Sequence, residues 1–499
     1  MGIRRDCRRP HRLTGPRCAA LVFLAFCLFA RVAVGTDETV QFGPFGKVVL
    51  YQSNASPKNV VVFVSGDGGW NLGVIDMARA LARDDALVAG VDISYYLRVI
   101  TTKSKASCLY PAGDFEILSK FIQQYKNFPE YRQPLLVGYS SGATLVYAAL
   151  AQAPPTSFVG AISLGFCPDL PVSAAWCRGY GLEAVTRKDG RGVTFRETKR
   201  LQVPWVVLQG EIDKVCSPSM TKAYLARVPR SQLVLLPKVG HGFSVQRNWL
   251  PQFKSAFAKL TASRTSAPTL DRDVADLPLV ELPASGSGDT LAVIVSGDGG
   301  WAGLDKDVGE RLVKQGIPVV GLNSLKYFWT ARTPEGSARD LDRIMLHYLN
   351  KWAKSRAVLI GYSMGADVLP FIANRLPPER LAQVRALVLL APSTRATFEF
   401  HISNWIGGAS AKESQPLLPE VERLYRLNVL CVGGADETDS LCRQLDKSQA
   451  SIQFVPGAHH FGGKYQRVAE LIVQHLVRDR KSTRLNSSHS QQSRMPSSA

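Results

Sequence analysis

Val358-Leu-Ile-Gly-Tyr-Ser-Met-Gly-Ala366 reads as a buried strand that turns sharply into a helix, and Leu135-Leu-Val-Gly-Tyr-Ser-Ser-Gly-Ala143 repeats it 223 residues earlier. Each stretch holds Gly-x-Ser-x-Gly between an apolar run and an apolar helical segment, 143–151 in one case and 366–373 in the other. That context is what a nucleophile elbow requires: glycines allow a tight turn that lifts the serine above the edge of a sheet. Ser140 and Ser363 are therefore the candidate nucleophiles.

The repetition extends outward. Val62-Phe-Val-Ser-Gly-Asp-Gly-Gly-Trp70 returns as Val293-Ile-Val-Ser-Gly-Asp-Gly-Gly-Trp301, now with an offset of 231 residues. Order and spacing are both kept, and the period is far beyond the 20–50 residues of solenoid repeats, so whole domains are duplicated. Apolar runs alternate with longer amphipathic stretches: 59–64, 87–93, 134–137, 159–164, 204–208 and 232–236 in the first copy, and 291–295, 318–322, 357–360, 386–390, 429–432 and 452–455 in the second. Continuous Val/Ile/Leu strands separated by helices predict a mostly parallel sheet covered on both faces. The fold class expected is α/β: two tandem α/β-hydrolase-like domains, each a mostly parallel sheet flanked by helices. The first is placed at 36–262 and the second at 285–478. The intervening 263–284, rich in Ala, Pro and Asp, reads as a linker.

The two ends are set apart from the fold. Six arginines precede the apolar run 18–30, and Ala33-Val-Gly35 supplies a small-x-small site, so 1–35 is expected to be a cleaved signal peptide directing export. The run is shorter than the ~20 residues that span a bilayer. Residues 479–499 lack hydrophobic periodicity and read as a disordered, non-native tail. Of the formal charge of +19, the leader carries +6 and the tail from 481 carries +3, leaving +10 for the rest. A moderately basic exported chain suits an anionic lipid surface. Basic runs with interleaved aromatics are missing, so nucleic acid is not an expected partner. Six cysteines remain outside the leader, and an even number in an exported chain favours disulfides. The four in the first copy allow three pairings, whereas a bond in the second must join Cys431 to Cys442.

A serine nucleophile needs a basic imidazole, and the imidazole needs an orienting carboxylate. The first copy offers Asp213 after one strand and His241 after the next, in the order Ser…Asp…His. In the second copy, Asp436-Glu-Thr-Asp439 and His459-His460 leave choices open. Counting back from the shared cysteine selects Asp439, while counting forward from the glycine selects Glu437. Matching His-Gly-Phe to His-His-Phe selects His459 over His460. Asp439 and His459 are the residues expected, with Glu437 and His460 as alternatives. The Ser-Gly-Asp-Gly-Gly-Trp turns supply oxyanion donors from Asp67 or Gly68 with Ser141, and from Asp298 or Gly299 with Met364. Zinc-type spacing is not found, and neither a metal nor a cofactor is expected.

Val295-Ser-Gly-Asp-Gly-Gly-Trp301, Asn323-Ser-Leu-Lys-Tyr-Phe-Trp329, Arg332-Thr-Pro-Glu335, Gly361-Tyr-Ser-Met-Gly-Ala-Asp367 and Ala458-His-His-Phe461 together resemble the bacterial virulence VirJ/AcvB family. The two-copy layout is similar to the longer AcvB form. The resemblance implies a periplasmic esterase acting on aminoacylated phosphatidylglycerol, notably lysyl-phosphatidylglycerol, with a link to virulence and type IV secretion components. For a cationic head group, Asp367, Trp301, Tyr327 and Trp329 are the expected binding residues; Asp367 stands out because the first copy has Thr144 there. Other functions on the same scaffold are a non-enzymatic secretion accessory and a general esterase or peptidase.

Overall fold

The computed structural model describes residues 37–102, 107–262, 273–400 and 414–477. The leader, the tail, and residues 263–272 of the expected linker fall outside the described residues. Two large sheets form the framework. The first runs Glu38–Phe42, Gly46–Tyr51, Ala86–Val91, Asn59–Val64, Leu135–Tyr139, Gly160–Leu164, Trp205–Gly210, Ser231–Leu236 from edge to edge. The second runs Leu279–Leu282, Val319–Leu322, Thr290–Val295, Arg356–Tyr362, Val384–Leu390, Asn428–Gly434, Ser451–Val455. Pairing is parallel except at the first edge of each sheet.

Both faces of each sheet are covered, which explains the unbroken apolar runs. Val60, Val62 and Val64 point into one core and Val61 and Phe63 into another. Leu291, Val293 and Val295 oppose Ala292 and Ile294 in the same way. Period-two alternation is hidden when both sides are apolar.

Three antiparallel edge strands are additional to the sequence reading. Glu38–Phe42 and Gly46–Tyr51 extend the first sheet. Leu279–Leu282 pairs antiparallel with Val319–Leu322, so the stretch read as linker through residue 284 contains a strand of the second sheet. Val274 and Leu277 are buried ahead of it. The Pro, Ala and Ser around this short strand outweighed its four-residue apolar signal.

The two halves pack together through an aromatic contact. Trp329 donates its indole N–H to the Phe128 carbonyl at 2.7 Å and lies 5.4 Å from the Tyr131 ring. Gln124 donates to the Phe400 carbonyl at 2.7 Å, and the Thr156 hydroxyl to the Trp301 carbonyl at 2.9 Å.

Among the described residues three disulfides are formed: Cys108–Cys177, Cys167–Cys216 and Cys431–Cys442. The last joins the strand Asn428–Gly434 to the end of the loop that follows it, across 11 residues of sequence. A loop of that length contributes about 3 kcal/mol in the chain-entropy picture. Protein alkylated without reductant should carry no label at Cys431 or Cys442 by mass spectrometry. Labelling of both in folded protein contradicts the bond.

Candidate active site

Each nucleophile sits at the junction of a strand and a helix. Leu135–Tyr139 leads to Ser140 and the helix Ser141–Gln152; Arg356–Tyr362 leads to Ser363 and the helix Met364–Ala373. The serines have φ of 55° and 52°, a region that L-residues rarely occupy. Such strain persists only when the surroundings enforce it. Here the neighbouring strand does so, accepting from Ser140 N at Leu164 O and from Ser363 N at Leu390 O, both at 2.9 Å. The flanking glycines are required by contact. A Cβ on Gly365 would lie 2.0 Å from the Val295 carbonyl, and one on Gly142 would lie 2.3 Å from that of Val64.

The histidine loops follow the last strand of each sheet. Phe243 and Phe461 are buried plugs that close a tight turn, with Phe243 N bonded to Gly240 O and Phe461 N to Ala458 O. This turn brings the preceding histidine over the elbow. In the first copy His241 Nε2 is 2.9 Å from Ser140 Oγ and its Nδ1 is 2.9 Å from Asp213 Oδ2. Asp213 also accepts from Val215 N, Cys216 N and Gln209 Nε2, which fixes the carboxylate. In the second copy His459 Nε2 is 2.8 Å from Ser363 Oγ. Its Nδ1 is 2.6 Å from Glu437 Oε1.

The orienting acid of the second copy is therefore Glu437, and the expectation of Asp439 is corrected. Asp439 is exposed, two residues beyond. Asp213 N bonds to Gly210 O and Glu437 N to Gly434 O, so each acid stands third after the last strand glycine in an equivalent turn. The cysteine was a false anchor because the two cysteines have different partners: Cys216 bonds to Cys167, but Cys442 bonds to Cys431. His460 is bonded to the Tyr362 hydroxyl instead of the nucleophile, its Nδ1 lying 2.7 Å from that oxygen.

Electrostatics suit His459 to the role of base. Burial lowers its pKa, but the hydrogen bond and charge of Glu437, with Asp298 and Asp367 nearby, outweigh that and leave it raised. His460 is lowered by burial and by its neighbour His459. With Nδ1–H donating to Glu437, Nε2 is left to accept the serine proton. The glycine turns lie beside the nucleophiles. A Cβ on Gly66 would be 3.0 Å from the Ser140 Cβ, and one on Gly297 would be 3.4 Å from that of Ser363. Asp67 and Gly68 line the Ser140 pocket, Asp298 and Gly299 line the Ser363 pocket, and Ser141 and Met364 open the elbow helices. The arrangement can carry out acyl transfer through a serine. Asp213, Cys216 and His241 are also near enough to share a cation, but Cys216 is tied up in its disulfide and the other two are bonded to each other.

The family model for the bacterial virulence protein VirJ matches residues 58–161 and 289–480, more than half of the chain. The chain belongs to the VirJ family. The two matched segments fall on the two copies, and both elbows lie inside them. A comparison with curated protein sequences finds no match. Solved structures similar to it include the esterase domain of a Rhodothermus marinus protein, at 14% identity and a TM-score of 0.31, covering 45% of this chain and 97% of that one. Est1E from Butyrivibrio proteoclasticus matches at 12% identity and a TM-score of 0.32, covering 46% and 99%. XC6422 from Xanthomonas campestris, an α/β serine hydrolase without a lid, matches at 18% and 0.30, covering 47% and 96%.

Within this VirJ-family chain, the residues expected to hold a cationic head group have other tasks. Trp301 is buried flat against the second sheet, where a Cβ on Gly321 would be 2.0 Å from its ring. Tyr327 is buried and donates to Asp340 at 2.6 Å. Trp329 is buried in the contact between the halves. Asp367 accepts from Ser393 N at 2.7 Å, as Thr144 donates to the Cys167 carbonyl at 2.5 Å. Both side chains pin the loop after the next strand, so the difference between the copies at this position is one of donor and acceptor. Residue type near the motifs points to these four, and sequence does not say which way a side chain points.

Burial raises the Asp367 pKa to about 7. The folded chain therefore holds this proton more tightly than the unfolded chain does, and stability falls as pH rises from about 4 to about 7. Asp367→Asn keeps an acceptor for Ser393 and removes the titration. Its melting temperature relative to wild type should be higher at pH 8 than at pH 5 in paired thermal melts. An identical difference at both pH values contradicts this.

Proposed function

We propose that the chain is an exported periplasmic serine esterase that hydrolyses aminoacylated phosphatidylglycerol, notably the lysyl form, in support of virulence and type IV secretion. The observation that carries the reading is the continuous relay from Ser363 through His459 to Glu437. Ser363 Oγ attacks the aminoacyl carbonyl while His459 Nε2 takes its proton, and the glycine turn with the Met364 N–H receives the oxyanion. Collapse expels the glycerol hydroxyl of the lipid, protonated by His459, and leaves an aminoacyl ester on Ser363. Water, deprotonated by the same imidazole, then releases the free amino acid and restores the serine hydroxyl.

The family supports the association with virulence, and a net charge of +10 outside the leader and tail suits an anionic bilayer. Cleavage after Gly35 would leave Thr36 as the new N-terminus of the exported protein. The decisive assay offers the purified chain vesicles containing lysyl-phosphatidylglycerol and follows free lysine. Release by wild type and not by Ser363→Ala is expected. Turnover of a simple aryl ester with no lysine release would contradict the lipid substrate and leave a general esterase.

A further inference from the structure

At one matched buried position the two catalytic pockets differ in charge. The Ser140 pocket is lined by Val74, a buried apolar side chain. The same offset of 231 residues that relates the glycine turns places Asp305 there in the second copy. Asp305 is 1% exposed and lines a cavity of about 650 Å³ that also holds Ser363 and His459. The backbone N–H groups of Ala302, Asp305 and Gly297 are near enough to favour the charged carboxyl, yet Oδ1 has no hydrogen-bond partner among the described residues. A buried acceptor left unpaired is costly, and the sister copy shows that an apolar residue fills the position without that cost.

Two further acidic residues belong to the cavity lining. Asp298 and Glu116 line it, and neither lysine nor arginine is among its described lining residues. Glu116 is already engaged, paired with Lys120 at 3.0 Å and accepting from the Ser157 hydroxyl at 3.0 Å. Tyr110 of the first half and Tyr465 of the second both line the cavity. The Cys108–Cys177 bond steadies the loop of Tyr110, with Leu109 bonded to both Ala175 and Cys177 through the backbone.

We infer that Asp305 supplies the charge of a cation subsite of the Ser363 pocket, drawing an ammonium group of the substrate's acyl portion to the stretch of cavity wall in which its carboxyl is buried. Tyr110 and Tyr465 add aromatic rings to the same lining, so the first half supplies part of the specificity of the second. Burial pushes the empty-site Asp305 carboxyl well above the ordinary carboxylate range, and an arriving ammonium provides the counter-charge that ionises it. The inference rests on the esterase reading for its substrate and on the cavity alone for its charge.

Both parts are tested in the full chain carrying Ser140→Ala, so that only the second site turns over. Asp305→Asn keeps the shape and removes the charge; Asp305→Val copies the sister site. Lysine benzyl ester should lose about 10- to 100-fold more kcat/KM than hexanoic acid benzyl ester in either variant. Calorimetry with 1,5-diaminopentane should detect binding to the parent and not to Asp305→Asn. Diamine binding that depends on Asp305, in a protein that does not cleave the lysine ester, would sustain the subsite and refute the aminoacyl substrate. Equal losses on both esters, or diamine binding indifferent to Asp305→Asn, would overturn the inference.

Discussion

Ser363→Ala should lower kcat for ester hydrolysis at the second site by ~10⁴-fold or more, because removing a triad nucleophile leaves only what binding and the oxyanion donors supply. The effect is large because Ser363, His459 and Glu437 act as one unit, joined by contacts of 2.8 and 2.6 Å. Folding should survive. The strained φ of 52° at Ser363 belongs to the backbone and is set by the flanking glycines and by Leu390, and alanine accepts it about as well as serine does. The comparison that gives the result meaning is Ser140→Ala, since the first copy holds an equally complete Ser140–His241–Asp213 relay. Steady-state kinetics on the lipid and on an aryl ester should assign lipid turnover to Ser363. Full lipid activity in Ser363→Ala, with loss in Ser140→Ala, would move that activity to the first copy.

Glu437→Gln should cost on the order of 10³- to 10⁴-fold in kcat, because an amide cannot stabilise the imidazolium and can hold the imidazole in the wrong tautomer. Asp439→Asn should leave kcat/KM close to wild type, since Asp439 is exposed and lies outside the relay. The pH profile gives a second readout. His459 must be unprotonated to take the serine proton, and its pKa is raised from 6.5. Activity should therefore fall, as pH drops, with a midpoint above 6.5 in wild type. Because the hydrogen bond and charge of Glu437 do most to raise it, residual activity in Glu437→Gln should persist to lower pH. A large loss in Asp439→Asn, with Glu437→Gln unaffected, would restore the assignment by cysteine spacing.

Much of this was legible in the chain before its structure. The elbows could be read because Gly-x-Ser-x-Gly is a local steric demand, visible wherever a strand precedes it and a helix follows. The strands could be read because burial on both faces leaves an uninterrupted apolar run. His241 and His459 could be placed because a buried phenylalanine two residues later sets the turn. What failed depended on information that sequence does not carry. The acid of the second copy is fixed by distance from the strand end, and a disulfide with different partners in the two copies displaced the alignment. Trp301, Tyr327, Trp329 and Asp367 are near the site in sequence, but their side chains are directed into the sheet, a helix, the contact between halves and a loop. Asp305 is not legible from its own element, because a single carboxylate in an amphipathic helix looks like a surface residue. Its signal was available by comparing the copies, where valine stands at the matching place.

The central claim is that Ser363 is an activated nucleophile. A fluorophosphonate probe reacts with a serine hydroxyl that a neighbouring imidazole deprotonates, and peptide mapping by mass spectrometry locates the adduct. Wild-type protein should carry the phosphonyl group on Ser363, and the adduct should be lost in Ser363→Ala and strongly slowed in Glu437→Gln. Folded protein that leaves Ser363 unmodified, or reacts equally fast after Glu437→Gln, would contradict it.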